Sequence, residues 1–297
     1  MPFFTVFIPT YNRADVLLRT LDSIVMQGEA DLEVVIVDDG STDNTRELVQ
    51  RWRGQVPFAV KYIYQENQGK TAAHNAMLDH ADGELTVLLN SDDLLAENAL
   101  SIVRQHWQAV ASIPDCAGIE GLSADLATGR LLGTRYPRDE MLGNFIEMRQ
   151  RHGVTGDKFN VIRTSVLKQF PFPRFPGEKH VPPSMVWSRI ALRYRFMHVN
   201  QVLQLKEYRA DGITRSWGDK KSRNPCGYRH YYLEILNDQK AYYAFPKRFS
   251  CARRYVYLSF LCGTPLGRQI SDMEDRALYA LAFPFGFMKY LFGKKRG

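Results

Sequence analysis

Apolar and polar positions in the first hundred residues come in blocks rather than in strict alternation. Phe3 to Ile8 is a short apolar run that breaks at Pro9, Thr10, Tyr11, Asn12 and Arg13. Leu32 to Val37 is a second, breaking into Asp38, Asp39, Gly40, Ser41, Thr42 and Asp43. The third lies in Glu84–Leu95 (ELTVLLNSDDLL) and ends at Asn90, Asp92 and Asp93. Continuous apolar runs of this length predict strands buried on both faces. Between them the spacing turns helical, with Val16, Leu17, Thr20, Leu21 and Ile24, and later Leu48, Val49 and Trp52, as the buried stripes. Strand, turn, helix, strand is the order of a parallel α/β sheet, in which all strand carboxyl ends lie along one edge. Pro9–Arg13, Asp38–Asp43 and Asn90–Asp93 are therefore expected to meet.

The remaining pattern fills in the architecture. Phe58 to Tyr64 alternates, as a strand near a sheet edge does. A helix is expected over Lys70–His80, burying Ala72, Ala73, Ala76, Met77 and Ala81, and another over Glu97–Val110. Gly118 to Leu132 reads as a hairpin turning near Thr128-Gly129, and residues 135–160 as helix and loop. Prolines frame an irregular segment around Gly177–His180. A helix burying Met185, Val186, Ile190 and Leu192 follows, then a strand over Val199–Tyr208. From about Tyr228 the chain reads helical. The expected organisation is one α/β domain over 1–215 (halves 1–112 and 113–215) and a basic helical extension over 216–297.

Charge sharpens the picture. Residues 1–100 carry 7 Lys/Arg against 16 Asp/Glu, whereas residues 201–297 carry 18 against 8. An acidic first third argues against a nucleic-acid binder, and a basic last third suits an anionic surface. The four cysteines are scattered, without metal-ligand spacing, as in a reduced cytoplasmic protein. No secretory leader is expected at the N-terminus. Ala277 to Phe292 is apolar but interrupted by Pro284, Gly286 and Lys289, which is short for a membrane span. It reads as an interfacial segment at the inner face of the membrane, or else as a helix docked on the protein's own core.

Carboxylates just past a buried strand are costly to desolvate and need compensation. Magnesium or manganese carrying a diphosphate supplies it. Capping of the next helix by Asp92 and Asp93 is the alternative. No histidine pair has metal-ligand spacing, and no GxSxG or P-loop pattern occurs.

Taken together, VFIPTYNRADVLLRTLDSI, EVVIVDDGSTDNT, NQGKTAAHNAML and GELTVLLNSDD resemble family 2 glycosyltransferases of the GT-A fold; GEKHVPPSMVWSRI and EYRADGIT extend the likeness more thinly. The resemblance implies a Rossmann-like, mostly parallel sheet flanked by helices. It also implies transfer of a sugar, with inversion, from a nucleotide-diphosphate sugar, with uridine the expected nucleoside. The acceptor would be a saccharide or lipid-linked acceptor of a bacterial surface polysaccharide. Pro9 and Tyr11 would line the nucleobase pocket, with Thr10 and Arg13 further donor-binding candidates in the same loop. Asp39 would accept from base or ribose, with Asp38 orienting the loop. Lys70 would hold the diphosphate at a helix start, and Asn75 stands nearby. Asp92 is the expected metal ligand, with Asp93 on the sugar or a metal-bound water. The family's usual Asp-Ser-Asp-Asp departs here to Asn90, which removes one negative charge. Glu178 is the expected general base and Asp211 its substitute. A non-catalytic sugar- or membrane-binding scaffold and a sugar-nucleotide pyrophosphorylase are the rival readings.

Overall fold

Two seven-residue strands, β1 (Phe4–Thr10) and β2 (Leu32–Asp38), are buried at every position, as strands in the middle of a covered sheet must be. In the computed structural model, which describes residues 1–207, 221–264 and 273–293, they pair in parallel over their whole length. β3 (Ala59–Tyr64) adds in parallel to β2, and β4 (Leu85–Leu88) in parallel to β1. β5 is Leu94–Leu95, β6 Cys116–Asp125, β7 Met141–Gly143, β8 Lys158–Arg163 and β9 Arg195–Lys206. The nine strands form one sheet in the order β3-β2-β1-β4-β8-β6-β9-β5, with β7 also on β9. β8 runs antiparallel to β4 and β6, while β6 and β9 are parallel.

Helices α1 (Ala14–Val25), α2 (Thr45–Arg53), α3 (Lys70–Leu78) and α4 (Ala99–Val110) connect the first strands. Each turns an apolar stripe inward: Val16, Leu17, Leu21 and Ile24 of α1, Val49 and Trp52 of α2, Val103 and Trp107 of α4. These join β1, β2 and β4 in one core. Short helices α5 (Phe145–Gln150), α6 (Thr164–Leu167) and α7 (Ser184–Ala191) follow. The chain divides into two compact units, Met1–Phe172 with Val186–Arg209, and Pro173–Met185 with Ala210–Gly297. The second contains α8 (Pro225–Asn237), α9 (Phe245–Leu261) and α10 (Met273–Gly293).

Three expectations change. The Gly118–Leu132 hairpin keeps its turn, with Gly129 N–H donating to the Asp125 carbonyl, but the returning arm makes only one isolated bridge, Ala124 with Leu131. β6 is satisfied instead by the distant β8 and β9. Leu192, expected in the core, is exposed, because α7 ends at Ala191. Residues 135–160 supply β7 and the start of β8 besides the expected helix. The apolar tail is a helix docked along one side: Leu278, Tyr279 and Ala282 are buried. At Gly286 a Cβ would lie 2.7 Å from the Arg253 carbonyl and Val256, so glycine permits close contact between α10 and α9.

Candidate active site

β1, β2 and β4 are mutually parallel, so their carboxyl ends share one edge, and the three expected loops do meet there. The Asn12 amide N–H donates to Ser41 Oγ (2.8 Å), and the Thr42 N–H donates to Asn12 Oδ1 (2.8 Å). Asn12 takes a positive φ of 49°, a conformation that asparagine tolerates well. Asp43 Oδ2 accepts from the Ala14 N–H at 3.0 Å, tying the second loop to the start of α1. Thr20 Oγ1 donates to the Ser91 carbonyl (3.0 Å), bringing α1 under the third.

Within this frame the two aspartates at the end of β2 are structural anchors. Asp38 is buried and accepts from the Ser41 N–H (2.8 Å) and the Tyr62 hydroxyl (2.5 Å). Asp39, also buried, accepts from Gln65 Nε2 (2.6 Å), the Gln68 N–H (2.9 Å) and the Gly69 N–H (2.8 Å). The carboxylate expected to read the base or ribose is thus largely occupied in holding the 65–69 loop. Gly40, at φ 87°, lets that loop approach: a Cβ there would sit 2.8 Å from the Asn67 nitrogen. Pro9 is buried within β1 opposite Val37, which leaves Tyr11, 47% exposed, as the open aromatic face. Thr10 Oγ1 is buried with no hydrogen-bond partner among the described residues.

The Asn90–Asp93 turn does not cap a helix. It leads into β5, and α4 starts only at Ala99, after Asn98. Lys70, first residue of α3, donates to Asn90 Oδ1, and Asn90 Nδ2 donates to Asp93 Oδ2 (2.5 Å). The amide relays between cation and carboxylate; an aspartate at 90 would face Asp93 with like charge. The departure from the family's Asp-Ser-Asp-Asp is therefore matched by its surroundings. Asp93 Oδ2 also accepts from Gln204 Nε2 (3.0 Å), and Lys206 Nζ lies 3.9 Å away. Burial pushes the Asp93 carboxyl up to about 6, opposed by Lys206 and reinforced by Asp92. Burial, followed by repulsion from Lys206, lowers the Lys70 ammonium. Asp92 is half-buried and accepts no hydrogen bond among the described residues, nor does Asp93 Oδ1.

Those open oxygens suit a hard divalent cation. Among the described residues no group of three or more His, Cys, Asp or Glu could hold a metal alone. One or two carboxylates are nevertheless the usual protein share when magnesium arrives on a phosphate.

Two expected residues have structural partners of their own. Both amide atoms of Asn75 bond the Phe172 backbone, each at 2.8 Å, so this side chain clamps the chain at 172. Glu178 lies in the second unit, where its two oxygens accept from the Cys226 (2.6 Å) and Gly227 (2.7 Å) N–H groups in the first turn of α8. Asn224 Oδ1 returns the tie to the Lys179 and His180 N–H groups. A carboxylate so placed caps a helix, and that commitment weighs against the role of base. Asp211 lies outside the described residues. Sequence reading missed Gln204 and Lys206, because only the antiparallel pairing of β5 with β9 (Leu94 with Leu205) brings them to Asp93.

Comparison with known proteins places this geometry in context. A curated glucosyltransferase of Campylobacter jejuni, acting by its name on a polyprenyl-diphosphate-linked saccharide (GalNAc(5)-diNAcBac-PP-undecaprenol), is 37% identical over 107 residues, 35% of this chain and 34% of the relative. An uncharacterized glycosyltransferase of Nostoc sp. is 39% identical over 104 residues, 35% of this chain and 32% of the relative. The alignments thus span about a third of these relatives' lengths. Among solved structures, S. aureus TarS 1-349 in complex with UDP-GlcNAc superposes with a TM-score of 0.63 at 21% identity, covering 95% of this chain and 79% of that one. The mannosyltransferase PcManGT of Pyrobaculum calidifontis, in complex with GDP-Man and Mn2+, gives 0.58 at 20%, covering 99% and 88%. These likenesses bear out the GT-A fold. The family model described as glycosyl transferase family 2 matches residues 5–169, more than half of the chain and all three loops of the site, and the chain belongs to that family.

Proposed function

We propose that this chain transfers a sugar from a nucleotide-diphosphate sugar, with uridine as the nucleoside, to a saccharide or lipid-linked acceptor of a bacterial surface polysaccharide, inverting the anomeric centre. The observation that carries the reading is the pair of open carboxylates, Asp92 and Asp93 Oδ1, beside Lys70 at the carboxyl edge of the parallel strands. Tyr11 offers its ring to the base. The 65–69 loop, held by Asp39, and the start of α3 receive the diphosphate. Asp92 and Asp93 would hold magnesium or manganese, which when bound neutralises the charge developing on the leaving diphosphate. The acceptor hydroxyl must lose its proton to a carboxylate, for which Asp211 remains the candidate. TarS and PcManGT, solved with UDP-GlcNAc and with GDP-Man and Mn2+, support a nucleotide-sugar donor by likeness.

A donor-hydrolysis assay tests this. Incubation with UDP-sugars should release UDP slowly with manganese or magnesium, and chelation should abolish release. Release that ignores chelation would remove the cation from the scheme; no release with any donor would favour a non-catalytic scaffold.

The membrane contact proposed for the tail rests on α10. Among the described residues no helix is long and apolar enough to cross a membrane. On α10, however, the side away from Leu278, Ala282 and Gly286 is apolar too, with Leu281, Met288, Leu291 and Phe292 exposed. An exposed apolar face in a strongly basic third fits the surface of an anionic bilayer. Sedimentation with phosphatidylglycerol vesicles should carry down the protein, and Leu281→Asp with Met288→Asp should leave it in the supernatant. Both side chains are exposed, so the fold should survive; undiminished sedimentation would refute the contact.

A further inference from the structure

The turn before β8 puts an exposed carboxylate next to the site and holds it unusually firmly. The Asp157 side chain is 52% exposed, yet its backbone neighbours are fixed from several directions. Lys158 Nζ donates to the Thr134 and Thr155 carbonyls, each at 2.8 Å, and Arg149 Nη1 donates to the Gly156 carbonyl at 2.8 Å. Gly133 and Gly156, both at positive φ, pack backbone against backbone: a Cβ on either would come within 2.2 Å of the opposing chain. Two side chains and a glycine contact thus hold this surface turn in place.

Asp157 meets a cation whose place is set by strand register. Leu94 pairs with Leu205 in the antiparallel β5–β9 ladder, so the next residues outward, Asp93 and Lys206, face each other. On its other side β9 pairs with β6, where Lys206 is opposite Asp125. Lys206 Nζ is 2.7 Å from Asp157 Oδ2 and 3.9 Å from Asp93 Oδ2. Asp157 Oδ1 accepts no hydrogen bond among the described residues. A rigid acceptor therefore stands next to a rigid donor, and that donor lies beside Asp93 Oδ2, the oxygen that accepts from Asn90 and Gln204.

Given the donor site proposed above, we infer that Asp157 and Lys206 form the specificity pair for the transferred sugar, Asp157 accepting from one hydroxyl and Lys206 donating to its neighbour. Lys70 takes the diphosphate end, and a hexose extending past Asp93 reaches the pair. Vicinal hydroxyls on a sugar ring present a donor and an acceptor at the spacing of a carboxylate–ammonium pair, so ring epimers are told apart by which hydroxyls meet it. A site built to bond a hydroxyl rejects a substrate that misplaces it much more strongly than an apolar wall does.

The experiment compares kcat/KM for UDP-glucose, UDP-galactose and UDP-N-acetylglucosamine in the wild-type chain, Asp157→Asn, Lys206→Met and Lys206→Arg, with UDP inhibition measured alongside. Asp157→Asn and Lys206→Met should shrink the preference for the best donor over its epimer by about tenfold or more. UDP inhibition should stay within about twofold, and Lys206→Arg should recover part of the preference. An unchanged preference, or a loss of UDP affinity in step with it, would overturn the assignment and make the pair a support of the turn. A wild-type chain that neither binds UDP nor turns over any donor would instead refute the donor site on which the inference rests.

Discussion

Asp92→Ala is expected to eliminate cation-dependent donor binding and lower kcat/KM by on the order of 10²–10³-fold, the range seen when one preorganised electrostatic contact to a transition state is removed. The reason lies in what surrounds it. Asp93 has one oxygen engaged by Asn90 and Gln204, and Asn90 is engaged with Lys70, so Asp92 is the carboxylate whose oxygens accept no hydrogen bond among the described residues. Among the described residues its side chain makes no hydrogen bond or ion pair that would be lost with it, and the melting temperature should barely move. Calorimetry of UDP with manganese checks the claim: wild-type affinity should drop on chelation and the variant's should not. Equal, cation-dependent affinity in both proteins would remove Asp92 from the ligand set.

The second large effect is expected at Asp39, by a different route. Asp39→Ala removes the buried acceptor of three part-buried hydrogen bonds, those from Gln65 Nε2 and the Gln68 and Gly69 N–H groups. Unsatisfied donors of this kind cost about 1–3 kcal/mol each where water cannot reach them, and the loop will relax to recover some of that. A net loss of about 3 kcal/mol is expected in urea unfolding, together with weaker UDP binding, since the same loop leads into Lys70. Asp39→Asn, whose single carbonyl oxygen keeps part of the set, should fall between. If Asp39→Ala leaves stability unchanged while UDP binding is lost, the side chain contacts the nucleotide directly and the anchoring role is wrong.

Legibility in the sequence followed sequence distance and burial. β1, β2 and β4 could be read because strands covered on both faces must be apolar throughout, and the polar residues that end them are conspicuous. Their convergence followed from the geometry of parallel sheets alone. β6, β8 and β9 were harder: their pairing joins residues 70 or more positions apart in some rungs, such as Cys116 with Arg195, and no local pattern encodes a partner. For that reason Gln204 and Lys206 were invisible beside Asp93. The partners of Glu178 were hidden for a related reason. An acid in a proline-framed loop reads as available, and the α8 amides that occupy it lie almost fifty residues onward. Asn75 shows the same limit, its amide turned to Phe172 rather than to the donor edge. Asn90, in contrast, was visible as a departure, and only the side-chain contacts show why an amide suits the place.

Central to the proposed activity is a cation seated between Asp92 and the donor's phosphates. Crystals grown with UDP and manganese, measured at the manganese absorption edge, test that directly. An anomalous peak is expected within about 2.3 Å of an Asp92 oxygen, with Asp93 Oδ1 and the diphosphate around it. A peak elsewhere, or UDP bound at this edge with no peak beside Asp92, would contradict it.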